Sequence, residues 1–215
     1  MKRIIPTIAA LSLILALVAC NAQTRKKGKS EDTRINLTPP TGKAVAAFAE
    51  GCFWCSEHVF EAVVGVDSAV SGYAGGTAPN PSYELVNTET TGHAESVLVY
   101  YDPKQISYEE LLKVFFTSQD PTTPDQQGPD RGNSYRSIIF YKTPEEKALA
   151  EKAKKDFAKY FKDPIVSEIK SLTDFYRAEG YHQNYVEHNP GNPYVQNVSI
   201  PRFELFKRTY KGKLK

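Results

Sequence analysis

The alternation of hydrophobic and polar positions divides the chain into three parts. Residues 1–19 carry Lys2 and Arg3 ahead of a mostly apolar run, which is typical of a signal peptide. Residues 20–42 are polar, show no period and offer few side chains to a core, so they predict a flexible tether. From residue 43 to residue 215, apolar positions recur with the periods of strands and helices, which predicts one folded domain.

Within this domain the periods predict five strands and four helices. The strands are predicted at residues 44–49, 66–73, 94–101, 137–142 and 165–169, and the helices at 52–63, 82–88, 107–118 and 143–161. The order β-α-β-β-α-β followed by an α-β pair predicts an α+β fold, a two-layer sandwich with a ferredoxin-like core and an added α-β unit. After Ser171 the chain is rich in tyrosine and irregular, and the pattern assigns no element there.

The end of the apolar run has a further signal. Leu17, Val18 and Ala19 stand before Cys20, an arrangement that resembles the lipobox of bacterial lipoproteins. This interpretation makes Cys20 the acylated first residue of a protein held at the bacterial cell envelope, outside the cytoplasm. Several acyl chains would be needed, because one chain alone binds a membrane only marginally. The alternative is an ordinary signal peptide that is cut nearby.

Charge excludes one class of partner. Removing residues 1–19 takes away Lys2 and Arg3 and leaves 25 basic and 25 acidic side chains. A formally neutral chain gives no reason to expect a nucleic-acid partner.

Two of the three cysteines lie close together in the stretch Gly51-Cys52-Phe53-Trp54-Cys55. The preceding strand and the following helix place Cys52 at a helix N-terminus, where free N–H groups and the helix dipole favour an anion. We therefore expect the pKa of Cys52 to lie below about 8.5, the value of a free thiol. Cys55 falls on the same face of the helix, and Phe53 and Trp54 add aromatic surface. The stretch predicts a redox thiol pair beside an apolar pocket.

Two other uses of the cysteines fit less well. A structural zinc site needs four ligands and commonly a second cysteine pair, and no histidine has suitable spacing, so we predict no metal. A structural disulfide between Cys52 and Cys55 closes a small loop and would stabilise the fold little.

Several motifs in residues 43–190 resemble peptide methionine sulfoxide reductases of the A class. They are Gly51-Cys52-Phe53-Trp54, Tyr73-Ala74-Gly75-Gly76, Gly92-His93-Ala94-Glu95 and Tyr135-Arg136-Ser137, in the order of the family. The resemblance implies reduction of methionine S-sulfoxide, protein-bound or free, without a cofactor. Without the resemblance, Glu95 would be interpreted as a solvated surface residue and the tyrosines as packing residues.

The resemblance also implies a role for each matching residue. Cys52 matches the nucleophile and Glu95 the general acid, which must protonate the sulfoxide oxygen. Tyr83 and Tyr135 match the tyrosines that bond this oxygen, and Asp130 matches a loop aspartate. Phe53 and Trp54 match the pair that packs on the S-methyl group of the substrate.

The sequence departs from the family where many members carry recycling cysteines near the C-terminus. Residues 189–194 contain none, which assigns the recycling role to Cys55. An external dithiol, thioredoxin or an extracytoplasmic equivalent, would then reduce a Cys52–Cys55 disulfide. We expect the protein to be a monomer. The alternatives are a thioredoxin-like thiol-disulfide oxidoreductase and a lipid-anchored binding module without activity.

Overall fold

The structure, a computed structural model, describes residues 33–215. The predicted signal peptide, the lipid attachment at Cys20 and residues 20–32 of the predicted tether lie outside the described residues. Between residues 33 and 215, no helix combines the length and the apolar character that crossing a membrane requires.

The strands form one large sheet and one small hairpin. They are β1 (Ala44–Glu50), β2 (Val66–Ala74), β3 (Ala94–Tyr101), β4 (Gln126–Gln127), β5 (Asp130–Arg131), β6 (Ser137–Tyr141), β7 (Glu168–Ser171) and β8 (Phe175–Arg177). The large sheet has the order β7-β6-β1-β3-β2-β8, and its neighbours are antiparallel except for the parallel pair β6 and β7. The short strands β4 and β5 pair with each other.

The helices follow local signals in the sequence. They are α1 (Phe53–Glu61), α2 (Tyr83–Val86), α3 (Tyr108–Thr117), α4 (Pro144–Phe157), α5 (Tyr185–His188) and α6 (Ile200–Thr209). Ser107 caps α3 and Thr143 caps α4, because each hydroxyl accepts the N–H of the residue three positions later. A π-helical turn, Val195–Ser199, leads directly into α6.

The core lies mainly between the sheet and the helices α1 and α3. Phe48 of β1 stacks on Phe60 of α1 and contacts Phe115 of α3, and all three rings are fully buried. Burying a side chain of this size contributes roughly 1.5–3 kcal/mol. On the opposite face, Phe140 and Phe175 form a second cluster with the alternate residues of β1. The apolar run of β1 therefore contributes to two cores, because successive side chains of a strand point to opposite faces of the sheet.

Several chain segments meet at one end of the central strands of the sheet. β1 ends at Glu50, directly before the glycine turn into α1. In β3, Glu95 pairs with Tyr73 of β2, and Ser137 at the start of β6 pairs with Glu50. The start of α1, the start of β3 and the segment before β6 therefore lie side by side.

The structure confirms the predicted α+β fold, and its large sheet has six strands. The ferredoxin-like description stays a prediction. The strand predicted at 165–169 instead begins at Glu168, and α4 ends at Phe157, where a 3₁₀ turn follows. The strand β8 and the helix α6 were not predicted.

The C-terminal part of the predicted tether, from Thr33 onward, contacts the domain. Ile35 donates its N–H to the carbonyl of Phe175, and Arg177 donates to the carbonyl of Thr33. Ile35 and Leu37 pack against the second cluster. The boundary predicted at residue 42 therefore lies within a segment that packs on the sheet, because two apolar residues interrupt its polar composition.

Candidate active site

A cavity of about 300 Å³ opens at the end of the strands where these segments meet. Its walls combine residues from α1, α2, β3, the hairpin and the C-terminal segment. They are Cys52, Phe53, Trp54, Tyr83, Glu95, Asp130, Tyr135, Asn192 and Tyr194. Seven of the eight predicted catalytic and substrate-binding residues line this cavity, and the eighth, Cys55, lies behind Cys52. Their roles stay predictions, but one site holds them all.

The two cysteines occupy the first turn of α1. Cys52 is the N-cap residue, and the N–H groups of Cys55 and Ser56 donate to its carbonyl oxygen. Both thiols are free and buried, with 6 % of Cys52 and 2 % of Cys55 exposed. Gly51 makes this turn possible, because its φ is +85° and a Cβ there would lie 2.4 Å from Cβ of Gln127.

The predicted low pKa of Cys52 is wrong. Burial raises the pKa of Cys52 well above its ordinary value, and the neighbouring Cys55 and Glu95 raise it further. The pKa of Cys55 falls to about 6, chiefly because the Cys52 thiol donates a hydrogen bond to it and also because of the Arg202 guanidinium. The helix N-terminus does face an anion, but the negative charge of the pair rests on Cys55.

Glu95 is held as a neutral acid inside the cavity. Only 2 % of it is exposed, and its Oε2 accepts the N–H of Phe53 at 3.0 Å. Burial raises the pKa of Glu95 to about 8, and the negative charges of Asp130, Cys55 and Glu89 oppose its ionisation as well. At neutral pH this carboxyl therefore carries a proton that it can donate.

Two tyrosines and an aspartate face Glu95 across the cavity. Burial raises the pKa of both Tyr83 and Tyr135, so their hydroxyls stay protonated and can donate hydrogen bonds. Burial also raises the pKa of Asp130, whose Oδ2 accepts the hydroxyl of Tyr194 at 2.5 Å. Glu95, Tyr83 and Tyr135 thus offer three O–H donors to the cavity.

Aromatic rings form the remaining wall. Trp54 stacks on Tyr185 with ring centroids 3.7 Å apart, and its Nε1–H donates to Nδ1 of His182 at 3.0 Å. Burial lowers the pKa of His182, which keeps its ring neutral and able to accept this bond. Phe53 packs against the same ring, with centroids 4.8 Å apart. The apolar surface is therefore fixed in orientation before any ligand arrives.

Behind the cysteine pair lies a second group of polar residues, here called the back cluster: Glu50, Ser118, Ser199 and Arg202. Arg202 donates through Nη2 to Oε1 of Glu50 at 2.8 Å and through Nε to the carbonyl of Ser118 at 2.6 Å. The hydroxyl of Ser118 donates to Oε2 of Glu50 at 2.8 Å. Cys55 Sγ lies 3.2 Å from Oγ of Ser199. Cys55 thus lies next to the hydroxyl of Ser199, and the positive charge of Arg202 lowers its pKa.

The sequence interpretation missed the contributions of the C-terminal segment. Asn192 and Tyr194 line the cavity, and Ser199 and Arg202 belong to the back cluster. These residues reach the site from a stretch without a period. The one signal available was its high tyrosine content, since a tyrosine combines a ring for packing with a hydroxyl for bonding.

Comparison with known proteins identifies the family. The sequence pattern described as "Peptide methionine sulfoxide reductase" matches residues 44–214. Peptide methionine sulfoxide reductase MsrA 1 of Rhodopirellula baltica is 46% identical over 186 residues, which cover 86% of this chain and 96% of that protein.

Two solved structures share the fold. Reduced Mxr1 from Saccharomyces cerevisiae gives a TM-score of 0.69 at 33% identity, covering 74% of this chain and 92% of the yeast chain. Methionine sulfoxide reductase A of Corynebacterium diphtheriae gives 0.69 at 32%, covering 73% of this chain and 79% of that chain. The arrangement of thiol, neutral acid and aromatic wall is thus found in a chain that belongs to the peptide methionine sulfoxide reductase family.

Proposed function

We propose that this chain reduces methionine S-sulfoxide to methionine, both free and in proteins, and that a dithiol restores the enzyme. The observation that carries the proposal is the buried Glu95 carboxyl, which lines the same cavity as Cys52. A sulfoxide oxygen is a poor leaving group until it gains a proton. A thiol that attacks sulfur and an acid that protonates oxygen are therefore needed together.

The first step uses both cysteines. Cys52 Sγ attacks the sulfoxide sulfur and passes its proton to the Cys55 thiolate. Glu95 gives its proton to the sulfoxide oxygen, which Tyr83 and Tyr135 bond, while Phe53 and Trp54 hold the S-methyl group. The oxygen ends on Cys52 as a sulfenic acid, methionine leaves, and Glu95 remains as a carboxylate.

The second step closes a disulfide. Cys55 Sγ attacks Cys52 Sγ, the S–S bond forms and the S–O bond breaks. The thiol proton of Cys55 leaves with the hydroxyl as water, and Glu95 regains a proton from solvent. A dithiol then reduces the disulfide and becomes oxidised itself. Yeast Mxr1 has been solved in complex with the thioredoxin Trx2, which supports thioredoxin as the dithiol here.

The placement of the enzyme rests on the sequence. The lipobox-like residues before Cys20 support a lipid anchor at the cell envelope. Replacing Cys20 with alanine should release the protein from membranes without changing the activity of the domain. A variant that stays in the membrane fraction after a salt wash would contradict the anchor. Sedimentation equilibrium of residues 33–215 tests the proposal that the domain is a monomer.

The activity is tested with pure protein, dithiothreitol and the two separated epimers of N-acetylmethionine sulfoxide. We expect consumption of the S epimer alone, and no consumption by the Cys52→Ser control. Consumption of neither epimer, or of the R epimer, would contradict the proposed function.

A further inference from the structure

The two sulfur atoms of the cysteine pair have different access to the outside. Cys52 lines the cavity, together with Tyr83, Glu95 and Tyr135. Cys55 lines neither this cavity nor the groove of about 420 Å³ that adjoins it at Asp130 and Tyr194. A molecule that approaches the pair from solvent therefore meets Cys52 first.

The side of Cys55 that faces away from Cys52 is filled by the back cluster. The side chain of Glu50 is fully buried and that of Arg202 is 12% exposed. Arg202 and Ser118 line the adjoining groove, whereas Cys55 does not, so the ion pair separates Cys55 from that groove. Ser199, which is 1% exposed, covers the sulfur itself through its hydroxyl. The titratable and charged groups that act on Cys55 are Cys52, Glu50, Glu95, Asp130, Tyr194 and Arg202.

Arg202 is the cation in this set, and its position is fixed. Two of its guanidinium nitrogens are occupied by Glu50 and by the carbonyl of Ser118. Its charge lowers the pKa of Cys55, and the hydroxyl of Ser199 has the same effect. A disulfide exchanges faster when the departing sulfur forms a more stable thiolate. The back cluster therefore suits Cys55 to leave rather than to be attacked.

We propose that the dithiol attacks Cys52, through the same cavity that admits the sulfoxide, and that Cys55 is the leaving thiolate, held by Ser199 and Arg202. This inference rests on the proposed function, since it concerns the disulfide which that function forms. Cys52 would thus bind first the oxygen of the substrate and later the sulfur of the reductant.

The exchange is balanced as follows. A thiolate of the dithiol bonds to Cys52 Sγ, the Cys52–Cys55 bond breaks, and its electron pair moves to Cys55 Sγ. The second thiol of the reductant loses its proton and attacks the sulfur that is bound to Cys52. The reductant departs as a disulfide, Cys52 departs as a thiolate that takes up the released proton, and the negative charge rests on Cys55.

A trapping experiment distinguishes the two sulfurs. The full chain is treated with one equivalent of N-acetylmethionine S-sulfoxide, and methionine and the intramolecular disulfide are measured. A thioredoxin whose second active-site cysteine is replaced by serine is then added. The mixture is quenched at short times with acid and N-ethylmaleimide and mapped by tandem mass spectrometry. Fragmentation between positions 52 and 55 locates each adduct.

We expect thioredoxin on Cys52 and N-ethylmaleimide on Cys55. Thioredoxin on Cys55 at the shortest times would overturn the proposal. A chain that forms no methionine or no disulfide in the first stage contradicts the proposed function instead, before any reductant is present.

Steady-state kinetics give an independent test. If sulfoxide and reductant share one cavity, a large excess of N-acetylmethionine S-sulfoxide should slow turnover at low thioredoxin concentration. More thioredoxin should relieve this inhibition. Turnover that stays constant in excess sulfoxide would overturn the shared entrance.

Variants of Arg202 test the leaving group. In Arg202→Met the Cys52–Cys55 disulfide should react with 2-mercaptoethanol roughly three- to thirtyfold more slowly, for a Cys55 pKa raised by one to three units and a Brønsted dependence of about one half. Arg202→Lys should recover part of this loss. Arg208→Met, on the exposed side of the same helix, is the matched control. A folded Arg202→Met that reacts as fast as this control would overturn the role of Arg202.

Discussion

The front and the back of the first turn of α1 each pair one cysteine with one buried carboxyl group. At the front, Cys52 and Glu95 face the cavity. At the back, the positive charge of Arg202 acts to lower the pKa of both Cys55 and Glu50. Glu50 and Glu95 are buried to the same degree, at 0% and 2% exposure, so burial alone does not distinguish them.

Their neighbours do distinguish them. Burial raises the pKa of Glu50 to about 7, against the opposing effects of Arg202 and the Ser118 hydroxyl. Glu95 accepts one backbone N–H and faces negative charges, and its pKa rises to about 8. The site thus keeps an acid where a proton is needed and a cation where a thiolate is needed. Each half works through the charges that surround it.

The largest expected effect concerns Glu95, the carboxyl group at the front. Glu95→Gln should slow the first turnover at pH 7 by about a hundredfold to ten-thousandfold, because general acids contribute about that much. Rapid quench with N-acetylmethionine S-sulfoxide measures this rate. The matched control is Glu57→Gln, since Glu57 is also buried with a pKa raised to about 7 by burial but lies outside the cavity. Equal rates in the two variants would remove Glu95 as the acid.

Glu50, the carboxyl group at the back, should affect the stability of the protein more than its chemistry. In the folded state the pKa of Glu50 is about 7, above its ordinary value of 4.5. Between pH 4.5 and pH 7, Glu50 is therefore protonated in the folded state and ionised in the unfolded state. The stability of the parent should therefore fall as pH rises through this window, by roughly 3 kcal/mol from this group.

Glu50→Gln removes this contribution. The free energy of unfolding of the variant minus that of the parent should therefore increase between pH 5 and pH 8. Urea denaturation at several pH values measures this difference. A constant difference between the two proteins across this range would contradict the raised pKa of Glu50.

The pH dependence of the first turnover should depend on both the cysteine pair and Glu95. The rate should rise as the cysteine pair loses a proton near pH 6 and fall about tenfold per unit above pH 8, where Glu95 loses the proton it must donate. In Cys55→Ser, the buried Cys52 remains alone, so the lower limb should move upward by about one unit or more. An unchanged lower limb would mean that Cys55 does not take the proton of Cys52.

The smallest effect is expected at the aromatic wall. Trp54→Phe loses the hydrogen bond to His182 and part of the stack on Tyr185, worth about 1 kcal/mol. The KM for N-acetylmethionine S-sulfoxide should rise about fivefold, and the rate of the first turnover at saturation should stay near that of the parent. A loss confined to the saturated rate would show that Trp54 acts on the chemistry instead.

The sequence was sufficient where the pattern is local. The strand predicted at residues 44–49 and the helix starts predicted at residues 107 and 143 each depend on residues a few positions apart. The structure has β1 at Ala44–Glu50, and Ser107 and Thr143 cap α3 and α4. The glycine turn before Cys52 was likewise visible from its neighbours. The motifs that resemble the family indicated which residues meet at the cavity.

The sequence was insufficient where distant residues decide. The pKa of Cys52 was expected from the helix N-terminus, but burial and the nearby Cys55 reverse its direction. Arg202 meets Glu50 across 152 positions and Ser199 meets Cys55 across 144, so no local pattern contains either contact. The edge strand β8 pairs with β2 through a segment that has no strand period of its own.

The C-terminal segment has a consequence for how the protein is made. A growing chain that has emerged up to residue 190 already contains both cysteines, Glu95 and both tyrosines of the cavity. It still lacks Tyr194, Ser199 and Arg202, and it lacks the pairing of Leu214 with Val63 beyond the end of α1. Both cysteines are therefore synthesised before the residues that cover them, so the site can be completed only after the last segment has left the ribosome.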